Sequence, residues 1–447
     1  MKIAYPAPSL RLNRAFRRIA GRLIEFELLV TAGLLLASII AALVIATGQT
    51  FPESVVLIGL TQAFLLLCFS MVLGLRDWNE DQILLPTATL LAGIGLVMIW
   101  RLAPGLRDFY GDIAHRHAVW TFVALTVLAL VTFLPWRMHW LKHYRYSWLL
   151  LGLLLVGATM VFGIEQNGAR LWLNLGLMQF QPVELLKILL VVYLATYLDD
   201  RRSLINTSYY LWGLRLPPLP YLVPMAIMWG LTVGMIIIQK DLGAALLFFS
   251  IFLAMLYVLT CQAWYVIAGL VAFVFGAAFL YPLFEYVQIR VDAWYDPWSD
   301  PLNRGYQMME ALYALAVGGY VGTGPGLGDP TTVPSSHTDF VFVAIGEELG
   351  MIGTLGVLAC YMLIAVRGFQ IALRTRDGFQ QLLATGLTTA ITIQALIITA
   401  GTINLIPLTG ITLPFVSYSG SSLVVHFVMI GLLMRISATN KDPRVGS

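Results

Sequence analysis

Residues 306–350 read YQMMEALYALAVGGYVGTGPGLGDPTTVPSSHTDFVFVAIGEELG. A polar stretch with glycines at 318, 319, 322, 324, 326 and 328 passes through His337-Thr338-Asp339-Phe340 and runs directly into an apolar helix that still carries Glu347 and Glu348. This is a loop that meets hydrocarbon, with an acid held at the boundary. Such a placement is costly, and ionisable groups at membrane depth mark functional sites. Asp339 is therefore the first candidate residue.

The rest of the chain agrees with a membrane setting. Its 447 residues are 59% hydrophobic and 11% charged, with a mean hydropathy of +0.81, far from the balance of a soluble globular domain. A spanning helix needs about 20 mostly apolar residues, and about twelve such runs are present. They are Leu28 to Ala46, Val55 to Leu75, Ile83 to Trp100, Ala118 to Leu134, Trp148 to Phe162 and Pro182 to Leu198. Tyr221 to Ile238, Ala244 to Leu259, Trp264 to Phe284, Phe340 to Ala365, Leu382 to Ile406 and Phe415 to Met434 complete the set. Irregular backbone cannot face lipid, so the spans are helices, and the fold class is an all-α polytopic membrane protein with about twelve transmembrane helices. The net charge of +3 says little about soluble partners, and no nucleic-acid partner is expected. Cys68, Cys261 and Cys360 lie in apolar runs and read as small buried hydrophobes, without disulfide or metal spacing. The basic arm with Arg11, Arg14, Arg17, Arg18 and Arg22 leads straight into a full-length span, so no cleavable signal is expected.

Placing the N-terminus in the cytoplasm puts Arg76, then Arg137, Lys142 and Arg145, then Arg201, Arg202 and Arg215, then Arg367, Arg374 and Arg376, and last Arg435, Lys441 and Arg444 inside. This satisfies the positive-inside rule and returns the C-terminus to the cytoplasm. Arg101, Arg107 and Arg116 break the trend and hint at an anionic ligand on the outer face. The same orientation sends Glu165 to Gln181, Gln239-Lys240-Asp241, Glu285 to Asp339 and Asn404 to Ser422 to one outer side. The loop between Phe284 and Phe340 has about 55 residues, well past the 12 to 15 at which structureless connections become uncommon; it is expected to be functional and to hold short helices, with Gly305 to Ala316 the best candidate.

Asp339 reads either as an N-cap or as a catalytic carboxylate, and the roles are compatible, because a capping acid stays ionised and can still accept a proton. Glu184 and Lys187 stand three apart on one helical face behind Pro182, as a self-satisfying ion pair or as the lining of a polar cavity. Asp241 is a further acid at a helix start. Arg170, Arg290 and Arg304 lie in outer loops beside Trp172, Trp294, Trp298 and Tyr306, and arginine forks match phosphate oxygens. The glycine-rich run lacks a Gly-Lys-Ser/Thr ending and is not a nucleotide loop.

Four blocks carry a resemblance to a known family. They are NGARLWLNLGLMQFQPVELLK from Asn167, QKDLGAA from Gln239, HTDFVFVAIGEELG from His337 and IPLTGITLPFVSYSGSS from Ile406. Together they resemble the SEDS family of bacterial cell-wall proteins (RodA, FtsW, SpoVE), most like a longer RodA-type branch. The match covers about the last four fifths of the chain, from residue 83 onward. It implies a basic cytoplasmic arm (1–27), two extra N-terminal helices (28–82), a ten-helix catalytic core (83–436) with the large outer loop 285–339, and a cytoplasmic tail (437–447). The implied activity is that of a peptidoglycan glycosyltransferase, which polymerises lipid II at the outer face of the bacterial cytoplasmic membrane in cell-wall synthesis and cell-shape maintenance. The implied partner is a class B penicillin-binding protein transpeptidase. The family's essential acid falls on Asp339, with His337 and Thr338 beside it in the cavity. Its buried pair falls on Glu184 and Lys187, and its second acid on Asp241. Val183 replaces the usual serine, Lys240 the usual proline, Leu171 a second basic residue and Ser419 a glycine. Asp339 is expected to act as general base or metal ligand, with Arg170, Arg304 and a divalent cation (Mg²⁺ or Mn²⁺) neutralising the diphosphate. The rival readings are a flippase for the lipid-linked precursor and a non-catalytic scaffold.

Overall fold

The computed structural model describes residues 22–48, 53–75, 81–134, 138–166, 169–174, 179–202, 209–211, 214–216 and 219–439. The positions of Arg11, Arg14, Arg17, Arg18, Arg76, Arg137, Asn167, Lys441 and Arg444, and with them most of the basic arm and tail, lie outside the described residues. Among the described residues fifteen α-helices follow one another: α1 (Leu23–Thr47), α2 (Glu53–Leu75), α3 (Leu84–Tyr110), α4 (Ile113–Phe133), α5 (His139–His143), α6 (Arg145–Phe162), α7 (Pro182–Asp200) and α8 (Leu219–Ile238). Then come α9 (Leu242–Thr260), α10 (Ala263–Leu280), α11 (Glu285–Tyr295), α12 (Tyr306–Gly318), α13 (Val341–Arg374), α14 (Gly378–Thr402) and α15 (Gly420–Thr439). Short antiparallel strands, β1 (Ile164–Gln166), β2 (Ala169–Asn174) and β3 (Gln179–Phe180), join α6 to α7, and a hairpin of β4 (Tyr209–Leu211) and β5 (Leu214–Leu216) precedes α8.

Among the described residues, ten helices are long and apolar enough to cross a membrane. The other two expected runs are helical as well: α7, whose span is interrupted by Glu184, Lys187, Asp199 and Asp200, and α8, apolar over Met225–Ile238. The large loop holds two helices, α11 and α12, and the second covers the stretch expected from residue 305. The expected run from Phe415 starts as a helix only at Gly420, because Phe415 takes a left-handed backbone (φ 66°) that no helix tolerates. Cys261 is exposed and Cys68 and Cys360 are half-buried, so the three thiols are not the fully buried hydrophobes expected.

Helix α7 forms the hub. It is buried almost continuously from Pro182 to Leu198 and packs against α6, α9, α14 and α15. Helix α10, which carries no charged residue, has no buried residue. The first is enclosed by protein, where its charged pair finds partners, and the second turns an all-round apolar surface outward, as a membrane span can.

Helix α13 is broken at Gly350 (φ 66°, ψ −166°). The glycine-rich loop after α12 takes up the hydrogen bonds that the break frees. Thr323 N donates to Glu347 O at 2.9 Å and Gly324 N to Glu348 O at 3.0 Å, while Met351 N donates to Gly319 O at 2.9 Å and Ile352 N to Tyr320 O at 3.2 Å. Side chains complete the seal: Arg101 Nε donates to Glu348 Oε1 at 2.8 Å, Gly326 N to Glu348 Oε2 at 3.0 Å and Asp329 N to Glu347 Oε1 at 2.7 Å. Freed backbone at membrane depth must find protein partners, and here the two glutamates and the loop supply them. A Cβ at Gly350 would stand 2.3 Å from Gly322 N. Gly350→Ala is therefore expected to destabilise the protein by about 1–3 kcal/mol or more, seen as a lower midpoint of thermal unfolding in detergent; an unchanged midpoint would mean the break is not under this constraint.

Candidate functional site

The loops at one end of the bundle close around a cavity of about 780 Å³. Its wall is drawn from all four segments expected to converge: β2 with Gln181, the Lys240-Asp241 turn, α11 with residues 335–339, and residues 409–420.

Asp339 lies in this wall, partly exposed. Helix α13 starts at Val341 with Phe340 in the cap position and no side-chain cap, so the carboxylate is not consumed in capping. The preceding turn is fixed from two sides. Thr338 N donates to Ser335 O at 3.0 Å, while Tyr418 N donates to His337 O at 2.9 Å and Ser417 Oγ to Thr338 O at 2.5 Å. The HTDF turn is thus riveted by backbone to the Pro- and Ser-rich turn before α15. Desolvation raises the Asp339 carboxyl to about 6 against the opposing pull of Arg290, the Thr338 hydroxyl bond adds to that pull, and Asp241 pushes the same way as burial. Burial lowers the His337 imidazole to about 4.

Asp241 lines the cavity while capping α9, accepting from Ala244 N at 3.0 Å. Desolvation raises its carboxyl, while that amide and Arg290 draw it down. Lys240, in a left-handed conformation (φ 64°), points an exposed side chain at the same space. Glu184 and Lys187 form the floor, bonded at 2.7 Å and nearly buried; Lys187 also donates to Gln394 Oε1, and Gln394 Nε2 to Thr412 O at 2.8 Å. The pair is at once self-satisfying and cavity-lining.

Two expected cations lie elsewhere. Ala169, Leu171, Trp172 and Asn174 of β2 line the cavity but Arg170 does not; it pairs with Glu165 at 3.2 Å and stays half exposed. Arg304 sits in an exposed turn, 3.9 Å from Glu285. In their stead the cavity holds Arg290 and Arg116. Arg290 Nη1 donates to Leu408 O at 3.1 Å and Thr409 O at 2.6 Å, and its fork lies over Gly410, whose missing side chain leaves the room. Arg101, one of the three outer arginines, is instead the partner of Glu348. Gln394 was also missed; a lone glutamine inside an apolar run was the signal available for it. Arg290 had none beyond its place beside aromatics, since its partners are carbonyls about 120 residues away along the chain.

The family profile described as cell cycle protein, FtsW/RodA/SpoVE, matches residues 81–442. The chain is similar to the peptidoglycan glycosyltransferase RodA of Mycobacterium bovis and of Mycobacterium tuberculosis, 39% identical over 391 residues, covering 85% of this chain and 83% of the relative. It is also similar to a probable peptidoglycan glycosyltransferase FtsW of Nitrosomonas europaea, 31% identical over 380 residues, covering 82% of this chain and 95% of the relative. A solved chain from work on the structural coordination of polymerization and crosslinking by a peptidoglycan synthase complex superposes with a TM-score of 0.68 at 29% identity, over 81% of this chain and 99% of that one. The crystal structure of the Thermus thermophilus rod shape determining protein RodA superposes with a TM-score of 0.57 at 26% identity, over 81% and 98% of the two chains. With the profile spanning most of its length and these relatives matched over 83% and 95% of theirs, the chain belongs to the FtsW/RodA/SpoVE family.

Proposed function

We propose that this chain, a multi-pass peptidoglycan glycosyltransferase, polymerises lipid II at the outer face of the cytoplasmic membrane, with Asp339 as the general base. The supporting observation is a carboxylate that is not used in capping its helix and lies in the wall of a polar cavity at the end of a helix bundle. The 4-hydroxyl oxygen of one lipid-linked disaccharide forms a bond to the anomeric carbon of another, and its proton passes to Asp339. The bond from that carbon to the diphosphate breaks, and the electron pair leaves with the phosphate oxygen. A base is most effective when its pKa lies near the working pH, which favours Asp339 over His337. Thr338 and His337 hold the turn, Glu184 and Lys187 shape the floor, and Asp241 anchors α9 at the wall.

A divalent cation fits in one mode. Among the described residues no cluster of three or more acidic, histidine or cysteine ligands exists, but Mg²⁺ binds through one or two carboxylates plus substrate phosphates. As the alternative to the general-base role of Asp339, Asp241 and Asp339 would supply those oxygens, and the ion would neutralise diphosphate charge. The positive-inside pattern of the inner loops supports cytoplasmic termini. A class B penicillin-binding protein is the proposed partner, in keeping with the synthase complex to which the fold is similar.

The test is chain formation from lipid II by the purified protein with its partner in vesicles, followed across pH. The base form of Asp339 exists above its pKa, so the rate is expected to rise tenfold per pH unit below about 6 and to level above it. A rate independent of pH between 5 and 7 would remove Asp339 as the base. Leaflet exchange of labelled lipid II without polymer would favour a flippase, and neither activity a scaffold.

A further inference from the structure

Arg290 and Arg116 occupy different parts of the cavity. Arg290, from α11, bears electrostatically on both Asp339 and Asp241. Only its Nη1 is committed to the Leu408 and Thr409 carbonyls; Nε and Nη2 have no hydrogen bond to any described residue. Arg116, in the first turn of α4, is exposed at the cavity wall and bears on Tyr418 instead. Tyr418 stands between the two regions. Its ring lies 5.9 Å from that of His117, the neighbour of Arg116, and 5.9 Å from that of His337, two residues before Asp339. Trp120, one turn beyond Arg116, continues the lining and rests on Gly420.

The substrates have a matching polarity. Two diphosphates are present when two lipid-linked disaccharides react. The donor's diphosphate is attached to the carbon under attack, beside the base. The acceptor's own diphosphate lies at the opposite end of its disaccharide from the 4-hydroxyl, a full two sugars away from the base.

Building on the proposed activity, we infer that the cavity contains two separate diphosphate subsites: Arg290 receives the diphosphate that departs, and Arg116 holds the diphosphate that the acceptor keeps. The two cations then act at different stages. The departing diphosphate is already ionised in the ground state, but the further negative charge on the oxygen that leaves the anomeric carbon develops only in the transition state, so Arg290 acts mainly on kcat. Charge on the acceptor's diphosphate is constant throughout, so Arg116 contributes uniform binding and acts on KM.

The experiment compares Arg116→Gln and Arg290→Gln in the full complex, with lipid II as acceptor and a lipid II whose terminal 4-hydroxyl is capped by galactose, which can serve only as donor. Arg116→Gln is expected to raise KM for lipid II about tenfold with kcat within about twofold, and to leave binding of the capped donor unchanged. Arg290→Gln is expected to lower kcat about 10²-fold or more with little change in KM. Arg290→Lys, which keeps the point charge, restores part of kcat, whereas a role confined to holding the 408–409 carbonyls would show as equal losses in both variants with a lower unfolding midpoint. Equal effects of the two glutamine variants on KM and kcat, or an unchanged KM in Arg116→Gln, would overturn the two-subsite assignment. If Asp339→Asn remains active, the proposed chemistry itself fails; if it is inactive while both arginine variants behave as wild type, only the subsites fail.

Discussion

Asp339→Asn is expected to leave folding and membrane insertion intact and to lower glycan-chain formation from lipid II by about 10²- to 10⁴-fold. The amide keeps the shape of the side chain but cannot accept the hydroxyl proton. Stability should move in the other direction. The Asp339 carboxyl titrates higher in the folded protein than in the unfolded chain, so the folded state binds the extra proton between the two values. Its contribution to stability is therefore present at low pH and lost as pH rises through about 6. Removing the charge should flatten that loss, making the variant at least as stable as the parent at neutral pH. Normal polymer from a correctly inserted Asp339→Asn protein would take the residue out of the mechanism.

Lys187→Met is expected to be the most damaging single change for stability, at about 3–5 kcal/mol, because it leaves the nearly buried Glu184 without its cation. Replacing both members, Glu184→Gln with Lys187→Met, should recover most of that stability, since a buried pair exchanged as a unit costs little. Activity should not return with it, because both side chains line the cavity. Thermal unfolding and polymer yield, measured on the same three preparations, separate the two contributions. A fully active double variant would confine the pair to a structural role.

Much of this architecture can be read from composition and order. Hydropathy locates the twelve helices, and the HTDF-to-GEELG stretch locates the acid, because both depend on residues adjacent in the chain. What escapes is whatever depends on neighbours distant in sequence. Helix α7 carries Glu184 and Lys187 in an otherwise apolar run and is the hub, while the uncharged α10 has no buried residue; the charges hint at the difference, but only packing shows which helix is enclosed. Arg170 and Arg290 look alike as loop arginines, but Glu165 pairs with the first away from the cavity while the carbonyls of Leu408 and Thr409 hold the second in it. Glu347 and Glu348 stand out as acids in an apolar run, but their task of closing a broken helix requires Gly350 and the loop from Gly319 together.

The first helix, which precedes the family-matched region, has a bearing on modularity. Leu43 of α1 is buried against Val97, Trp100 and Ala114, and Thr47 packs so closely on Gly326 that a Cβ there would approach its Cγ2 to 2.6 Å. The backbone of Gly326 is in turn held by Arg101 and Glu348. A chimera that transplants residues 81–442 onto a shorter relative's N-terminus would strip that glycine, which the Arg101–Glu348 pair holds, of its cover. The first helix and the glycine-rich loop are thus packed as one unit, and any grafting scheme has to carry them together.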